Sequence, residues 1–190
     1  MNRPPAHLSN TRALSHFRTR GVSMIEAMCT LAITVVLAGG ALPMLKDLRT
    51  SQTLQGVAAL LETDIQYAKS EAVTGGRPVR LSAQALPGGS SCYVIHTGPA
   101  HACRCQTGGQ AVCDAGATVL RLAEQGGPAG ISLAPVSRSI LFDASKGTVT
   151  PTATWRISDR QGRTIQQVVN IMGRVRSCTP TAGFAGLRPC

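Results

Sequence analysis

Aromatic residues are scarce in this sequence, which has one tryptophan, two tyrosines and three phenylalanines among 190 residues. Proteins that bind single-stranded nucleic acids by stacking need aromatic side chains on which successive bases lie, so recognition of that kind is disfavoured. Charged residues are also few, at 15%, whereas hydrophobic residues make up 43%. This composition is not that of a disordered chain, and its length suffices for one domain with a hydrophobic core plus an additional element.

The sequence also lacks the motifs that are typical of enzymes. It contains no Gly-x-Ser-x-Gly, no phosphate-binding P-loop and no metal-binding helix. The four histidines are scattered along the chain, at His7, His16, His96 and His101. We therefore predict no catalytic residues, no cofactor and no metal ion, and we do not expect an enzyme.

Acidic residues are outnumbered, with nine Asp and Glu against nineteen Lys and Arg and a formal net charge of +10. Residues 22–190 carry +6 of this charge, because four arginines lie in front of them: Arg3, Arg12, Arg18 and Arg20. Beyond residue 140, one lysine and six arginines stand against two aspartates, a surplus of +5. Such a basic C-terminal region suits phosphate groups or anionic surfaces.

A long hydrophobic run extends from about Val22 to Leu45 and follows a basic segment without acids. Its length matches the ~20 residues of a membrane-spanning helix, and the arginines in front favour a cytoplasmic N-terminus. Glu26 lies inside this run, where an acid costs about 2.5–3.5 kcal/mol on insertion scales and indicates a function with a charged partner. The alternative is a secretory signal cut near residues 37–42, but an acid in its apolar region argues against it.

The text "RG-VSMIE" (residues 20–26) resembles the type IV prepilin signal, which has a glycine followed by a hydrophobic residue and a glutamate at the fifth mature position. The resemblance implies that prepilin peptidase cuts after Gly21 and N-methylates Val22. It also implies that Glu26 neutralises the terminal amine of a neighbouring pilin subunit, since two opposite charges in a low dielectric offset each other's desolvation cost. The protein would lie in the inner membrane as a single-pass protein with a periplasmic C-terminal domain, and then in a pilus or pseudopilus.

The helix that begins in this run is predicted to continue to residue 75. Pro43 stands where pilins often carry a helix-bending proline, and with Gly39 and Gly40 it weakens the local helix. After Leu45 the sequence is polar but has an amphipathic stripe, which predicts packing on a core: Leu54, Val57, Ala58, Leu61, Ile65, Ala68 and Ala72. Gly75 and Gly76 provide the stop.

The segment that follows is similar to the GspH/FimT branch of minor pilins and pseudopilins, because "AKSEA" (residues 68–72) resembles that branch's helix-end text "A-R-S-E-A". Short strands between Gly, Pro and Ser residues are predicted at Pro78–Ala83, Cys92–Thr97, Thr118–Ala123, Ile131–Ala134, Ser139–Asp143, Thr152–Ser158 and Thr164–Met172. The expected fold is α+β, a long N-terminal helix packed on a C-terminal antiparallel β-sheet domain. We predict a leader at residues 1–21, an assembly helix at 22–46, an amphipathic helix at 47–75 and a β-rich domain at 76–190.

Two details of the β-rich domain are also predicted. "DRQG" (residues 159–162) is expected to form a hairpin turn, with Ile165, Val169 and Ile171 facing inward on the strand that follows it. Residues 96–113 are expected to form a long exposed loop.

Seven cysteines are present, and Cys29 in the apolar run is expected to be a small buried hydrophobe. The other six predict up to three disulfide bonds in an oxidising compartment: Cys92, Cys103, Cys105, Cys113, Cys178 and Cys190. Cys178 and Cys190 would close a C-terminal loop, whereas the connectivity of the rest stays open. A zinc site at His101 with three of these cysteines is the weaker alternative, because the spacing lacks paired Cys-x-x-Cys motifs.

The text "MGRVRSC" (residues 172–178) is the strongest candidate for a binding site. If the preceding strand continues, Arg174 and Arg176 project from one outward face while Val175 points inward. Two guanidinium groups could then bind successive phosphates, although arginines at a strand end can also simply prevent edge aggregation. FimT-like minor pilins carry a C-terminal Gly-Arg-x-Arg motif associated with DNA capture in natural transformation, and Gly173, Arg174 and Arg176 match it.

The distance of each other arginine from this motif decides whether we include it in the candidate binding site. Arg188, inside the C-terminal loop, could join it. Arg160 and Arg163 lie about 35 Å from Arg174 if the strand is straight, so we exclude them. Because the resemblance implies DNA capture and few aromatics are present for stacking, we expect weak binding to double-stranded DNA through phosphates, without sequence preference. Two alternatives share the same N-terminal signal: a pilus-priming minor pilin that binds no DNA, and a GspH-type pseudopilin of a type II secretion system.

Overall fold

The computed structural model describes residues 21–126, 130–135, 137–180, 184 and 186–190, with only the backbone for residues 41–43. Most of the predicted leader and the side chain of Pro43 therefore lie outside the described residues. The chain divides into two compact units, Met1–Met44 and Leu45–Cys190. Helix α1, Met24–Gly75, contributes to both units.

Helix α1 begins at a serine cap. The backbone amide of Glu26 donates to Ser23 Oγ at 3.3 Å, and the amide of Ala27 donates to the Ser23 carbonyl at 3.1 Å. The large apolar side chains of the first unit are exposed, including Met28 and Leu31. Among the described residues, α1 is long and apolar enough to cross a membrane.

The second part of α1 carries the predicted stripe. Six of its seven residues are buried, and the seventh, Val57, packs against the same core. Gly76 then ends the helix with φ +60°, and the amide of Arg77 bonds the Ala72 carbonyl at 3.3 Å. Both the stripe and the stop signal are confirmed.

Eleven strands follow among the described residues: β1 Val79–Ala85, β2 Ser91–Thr97, β3 Cys103–Gln106, β4 Gln110–Cys113, β5 Val119–Gln125, β6 Ser132–Pro135, β7 Ser139–Phe142, β8 Val149–Thr150, β9 Ala153–Ser158, β10 Thr164–Val169 and β11 Val175–Cys178. They form a five-stranded sheet (β5-β2-β1-β7-β8), a four-stranded sheet (β11-β10-β9-β6) and a two-stranded sheet (β3-β4). All of these pairings are antiparallel. The predicted α+β fold, a long helix on antiparallel sheets, is confirmed.

The seven predicted strands are present with shifted ends, but two expectations are wrong. Residues 96–113 are not one exposed loop, because β3 and β4 form a hairpin there around Gly108 and Gly109, both at positive φ. Strand β10 ends at Val169 instead of Met172, and Ile171 is 56% exposed in the turn that follows. Gln167 takes an inward position on β10 that the hydrophobic pattern does not show.

The core lies between α1 and the two larger sheets, with Trp155 and Tyr93 among its largest buried side chains. Polar side chains also join α1 to each of the two larger sheets. Tyr93 Oη donates to Asp64 Oδ2 of α1 at 2.7 Å, and Arg121 forms an ion pair with the same carboxylate. Burial, followed by this hydrogen bond, raises the pKa of Tyr93 above its usual range. On the other sheet, Gln167 Nε2 donates to the Ala58 carbonyl at 3.0 Å.

Candidate nucleic-acid interface

The chain reverses direction between β10 and β11 in a tight turn. The amide of Asn170 donates to the Arg174 carbonyl at 3.1 Å, and the amide of Gly173 donates to the Asn170 carbonyl at 2.9 Å. The side chain of Asn170 accepts two further amides through Oδ1, from Met172 at 3.1 Å and Arg174 at 2.9 Å. The strand does not continue through the arginines, which was the condition for placing both on one strand face: these acceptors and the left-handed Gly173 (φ +72°) produce a turn.

Two side chains of helix α1 donate hydrogen bonds to the backbone of this turn. Lys69 Nζ donates to the Met172 carbonyl at 2.7 Å, and Gln66 Nε2 donates to the Gly173 carbonyl at 3.2 Å. Gly173 is buried, and a Cβ atom there would lie 3.0 Å from Lys69 Cδ and 3.2 Å from Val149 Cγ2. The glycine of the motif thus has a steric role in the contact between turn and helix.

The sequence reasoning missed three residues that position the motif: Gln66, Lys69 and Asn170. The sequence pattern relates Lys69 only to the end of a helix, and it predicts a strand at Asn170. Gln66 and Lys69 lie more than 100 positions from the motif along the chain. The one local signal was the text "NIMG", since Asn and Gly are frequent turn residues.

Arg176 lies on the outward face of the four-stranded sheet, and Arg174 directly precedes β11. Arg174 and Arg176 are exposed, whereas Val175 between them is half-buried and packs against the core. Arg176 pairs with Val168 in the register of β10 and β11. A surface cavity of about 490 Å³ is lined by both arginines together with Val168, Asn170 and Val175.

The charges of this pair are not neutralised within the described part of the chain. No hydrogen bond or ion pair joins the guanidinium group of Arg174 or Arg176 to another described residue. Exposed guanidinium groups of this kind are free to donate to an anion, and their forked geometry fits a phosphate or a carboxylate group.

The C-terminal segment returns to the end of β11. Cys178 is bonded to Cys190, and the Thr179 amide donates to the Arg188 carbonyl at 3.0 Å. Arg188 is exposed. Its hydrogen-bond partner Thr179 lies three positions beyond Arg176, about 10 Å along the strand. The loop therefore anchors the strand that carries the motif.

The two remaining disulfides join Cys92 to Cys105 and Cys103 to Cys113. Each of the three cysteines in the alternative zinc site is therefore part of a disulfide bond. Cys29 is a free thiol on the first part of α1 and is exposed in the single chain, contrary to the expectation of a buried residue.

Arg160 and Arg163 lie at the hairpin between β9 and β10. Gly162 has φ +82° and its amide donates to the Asp159 carbonyl at 3.2 Å, so the predicted turn is confirmed. Arg163 Nε forms a 2.6 Å ion pair with Asp159 Oδ2. This hairpin is at the opposite end of β10 from Asn170, about 20 Å away by strand rise. The 35 Å figure is too long because the chain turns after Val169, but the two arginines remain at the other end of the sheet.

Comparisons with known proteins give one family match and two similar solved structures. A family model described as the type II transport protein GspH matches residues 57–173. The chain is also similar to the type IV minor pilin FimU of Pseudomonas aeruginosa in two crystal forms. One has 23% identity and a TM-score of 0.46, covering 66% of this chain and 87% of FimU. The other has 22% identity and a TM-score of 0.44, covering 65% and 90%. No curated protein matches the sequence.

The family match covers more than half of the residues and includes the end of α1, most of the sheets and Gly173. The chain belongs to the GspH family.

Proposed function

Because the chain belongs to the GspH family, we propose that it is a minor pilin that enters a type IV pilus and binds extracellular double-stranded DNA for uptake. The observation that supports DNA binding is the pair of exposed guanidinium groups on Arg174 and Arg176, without a partner among the described residues. Asn170, Gly173 and Lys69 hold the turn in front of them. The backbone of the turn is thus preorganised, so little loop ordering opposes binding.

The expected mode of binding is to the phosphate backbone. The site contains two exposed cations, while aromatic residues are few, so neither stacking nor a network of base contacts supports sequence preference. Each phosphate contact releases counterions, so the logarithm of affinity should fall by about 0.9 per contact for each tenfold rise in salt. Two contacts correspond to a slope of about −1.8.

The test uses the full chain in a non-ionic detergent and a fluorescein-labelled DNA duplex. The double variant Arg174→Gln/Arg176→Gln should bind about 60-fold more weakly at 0.1 M salt, because each lost contact contributes about eightfold there. Arg104→Gln is the matched control, since Arg104 is exposed on the separate β3-β4 hairpin and has no side-chain partner among the described residues. The arginines of the predicted leader are present in every variant, so their contribution to DNA affinity cancels in the comparison. Equal affinity of the double variant and the control would refute DNA binding by the motif.

Assembly into the filament is proposed to depend on the N-terminal signal. Prepilin peptidase would cut between Gly21 and Val22 and methylate the new amine. Ser23 already accepts the backbone amide of Glu26, and the Glu26 carboxylate has no described partner within the chain. That carboxylate is therefore available for the amine of a neighbouring subunit. Mass spectrometry should find a processed N-terminus at Val22, and Glu26→Ala should leave the protein processed but absent from sheared filaments.

A second candidate is a pseudopilin of a type II secretion system, which the description of the family model favours. A pilus-priming pilin without DNA binding is the third. Both share the helix and sheets with the first proposal, so the DNA-binding measurement distinguishes them from it. If wild-type protein binds no more tightly than the double variant, these two functions are favoured.

A further inference from the structure

The outward face of the four-stranded sheet continues beyond the two arginines of the motif. Alternate residues of β9 and β10 are buried, including Trp155 and Ile157, so the residues between them face outward. Arg176 on β11 stands opposite Val168 on β10, and Val168 stands opposite Thr154 on β9. These three positions form one row across the sheet.

Arg156 lies two residues beyond Thr154 on the same face of β9 and is exposed. It pairs with Gln166 of β10 on one side and with Ala134 of β6 on the other, and neither partner is charged. No ion pair or hydrogen bond engages its guanidinium group among the described residues. The strand spacing of about 4.8 Å and two residues of rise put its Cα about 12 Å from that of Arg176.

The face is also free of acidic residues at the outward strand positions. These positions are Ser132, Ala134, Thr154, Arg156, Ser158, Thr164, Gln166, Val168, Arg176 and Cys178. Hydroxyl and amide groups among them can donate to phosphate oxygens, and a carboxylate that would repel DNA does not occur in this set. The surface therefore combines separated cations with neutral donors.

We propose that Arg156 is a third phosphate contact, so that a DNA duplex lies across strands β11, β10 and β9 instead of touching the motif turn alone. This inference rests on the proposed DNA binding and names the extent of the same site. A duplex carries one phosphate charge per about 1.7 Å of its axis, so a span of about 12 Å covers several phosphates. Cations at both ends of that span fix the duplex against the sheet at two separate places.

The experiment measures duplex affinity by fluorescence anisotropy as a function of salt, with the full chain in a non-ionic detergent. Arg156→Gln should weaken binding by about eightfold at 0.1 M salt and reduce the magnitude of the salt slope by about 0.9. Arg156→Lys should retain the slope, because it keeps the charge. Arg104→Gln should change neither quantity.

A second variant adds a possible phosphate contact instead of removing one. Thr154→Lys adds a cation in the row of Arg176 and should steepen the salt slope by about 0.9. The melting temperatures of all variants are measured in parallel, so that a loss of folding is recognised separately.

The outcomes separate the two proposals. If Arg156→Gln binds like Arg104→Gln while Arg174→Gln/Arg176→Gln is defective, the crossing of β9 is wrong and DNA binding by the motif stands. If the motif double variant retains full affinity, the proposed function fails and this inference fails with it. A salt slope unaltered by both Arg156→Gln and Thr154→Lys would likewise overturn the third contact.

Discussion

Lys69 of helix α1 donates a 2.7 Å hydrogen bond from Nζ to the carbonyl oxygen of Met172, in the turn that precedes the two arginines. The ammonium group of this lysine therefore holds a backbone segment of the same chain at the surface. The candidate DNA-binding turn is thus fixed to the helix that also forms the core, and its geometry depends on the packing of the domain.

Substitution of Gly173 should show this dependence. Gly173→Ala places a methyl group at φ +72°, 3.0 Å from Lys69 Cδ and 3.2 Å from Val149 Cγ2. The left-handed backbone alone costs about 1–2 kcal/mol for a residue with a Cβ. Gly108→Ala is the matched control, because Gly108 has φ +88° but open space around it. In urea unfolding, Gly173→Ala should be the less stable variant and should also lose DNA affinity. Equal stability of both variants would show that the contact with α1 is unimportant.

Two variants of Asn170 should separate turn geometry from charge. Asn170→Ala removes the acceptor of the Met172 and Arg174 amides and should reduce stability by about 1 kcal/mol. Asn170→Asp retains the acceptor but places a negative charge in the cavity lined by Arg174 and Arg176. We expect Asn170→Asp to keep the melting temperature of the wild type and to lose DNA affinity. Wild-type affinity in Asn170→Asp would mean that DNA does not approach this cavity.

The buried carboxylate of Asp64 should stabilise the contact between α1 and the five-stranded sheet. Asp64→Ala leaves the buried Tyr93 hydroxyl without its acceptor, which costs about 1–3 kcal/mol. Asp64→Asn keeps an oxygen for that hydroxyl and should cost less, while the partly exposed Arg121 can turn to water in both variants. Fluorescence of Trp155, the one tryptophan of the chain and fully buried, reports urea unfolding. Equal losses in the two variants would assign the stabilisation to the ion pair instead.

Stability should also depend on pH through His96. The neutral ring is buried, with Nε2 3.0 Å from Ser82 Oγ and Nδ1 3.0 Å from the Thr97 carbonyl. Burial lowers the pKa of His96 below its ordinary value; the bond to Thr97 opposes this shift and the charge of Arg80 adds to it. The unfolded chain therefore binds the proton at higher pH than the folded chain.

The sign follows from that difference in proton binding. The contribution of His96 is fully present above the unfolded pKa of about 6.5 and is lost as the pH falls toward the lowered folded value. The slope is at most about 1.4 kcal/mol per pH unit for one proton. Urea unfolding between pH 8 and pH 5 should show this loss, and His96→Gln should reduce it. The control is His101→Gln, at an exposed histidine. A pH dependence of stability that persists in His96→Gln would refute its assignment to His96.

Local patterns predicted the parts of the fold that local interactions decide. The spacing of Leu54, Leu61 and Ile65 predicted the buried face of α1, because helical periodicity puts such residues on one side. Gly76 predicted the end of that helix, and the alternation of Trp155 and Ile157 predicted an inward strand face. The prediction of a prepilin leader and of cleavage at Gly21 stays a prediction, since it concerns processing of the chain and not its fold.

The sequence by itself determined the long helix, its apolar first part, its core stripe and the position of most strands, since each follows from periodicity or a stop signal within a few residues. Only the tertiary structure decided that Cys92 pairs with Cys105 and Cys103 with Cys113. It alone also decided that β3 and β4 form a hairpin and that the chain turns at Asn170. It also decided that Lys69 holds the motif turn and that Arg156 shares a face with Arg176. Lys69 and Met172 lie 103 positions apart, so no local pattern relates them. The paired cysteines are only 13 and 10 positions apart, but four neighbouring cysteines allow more than one pairing. At Asn170 the local signal for a turn competes with the pattern of the preceding strand.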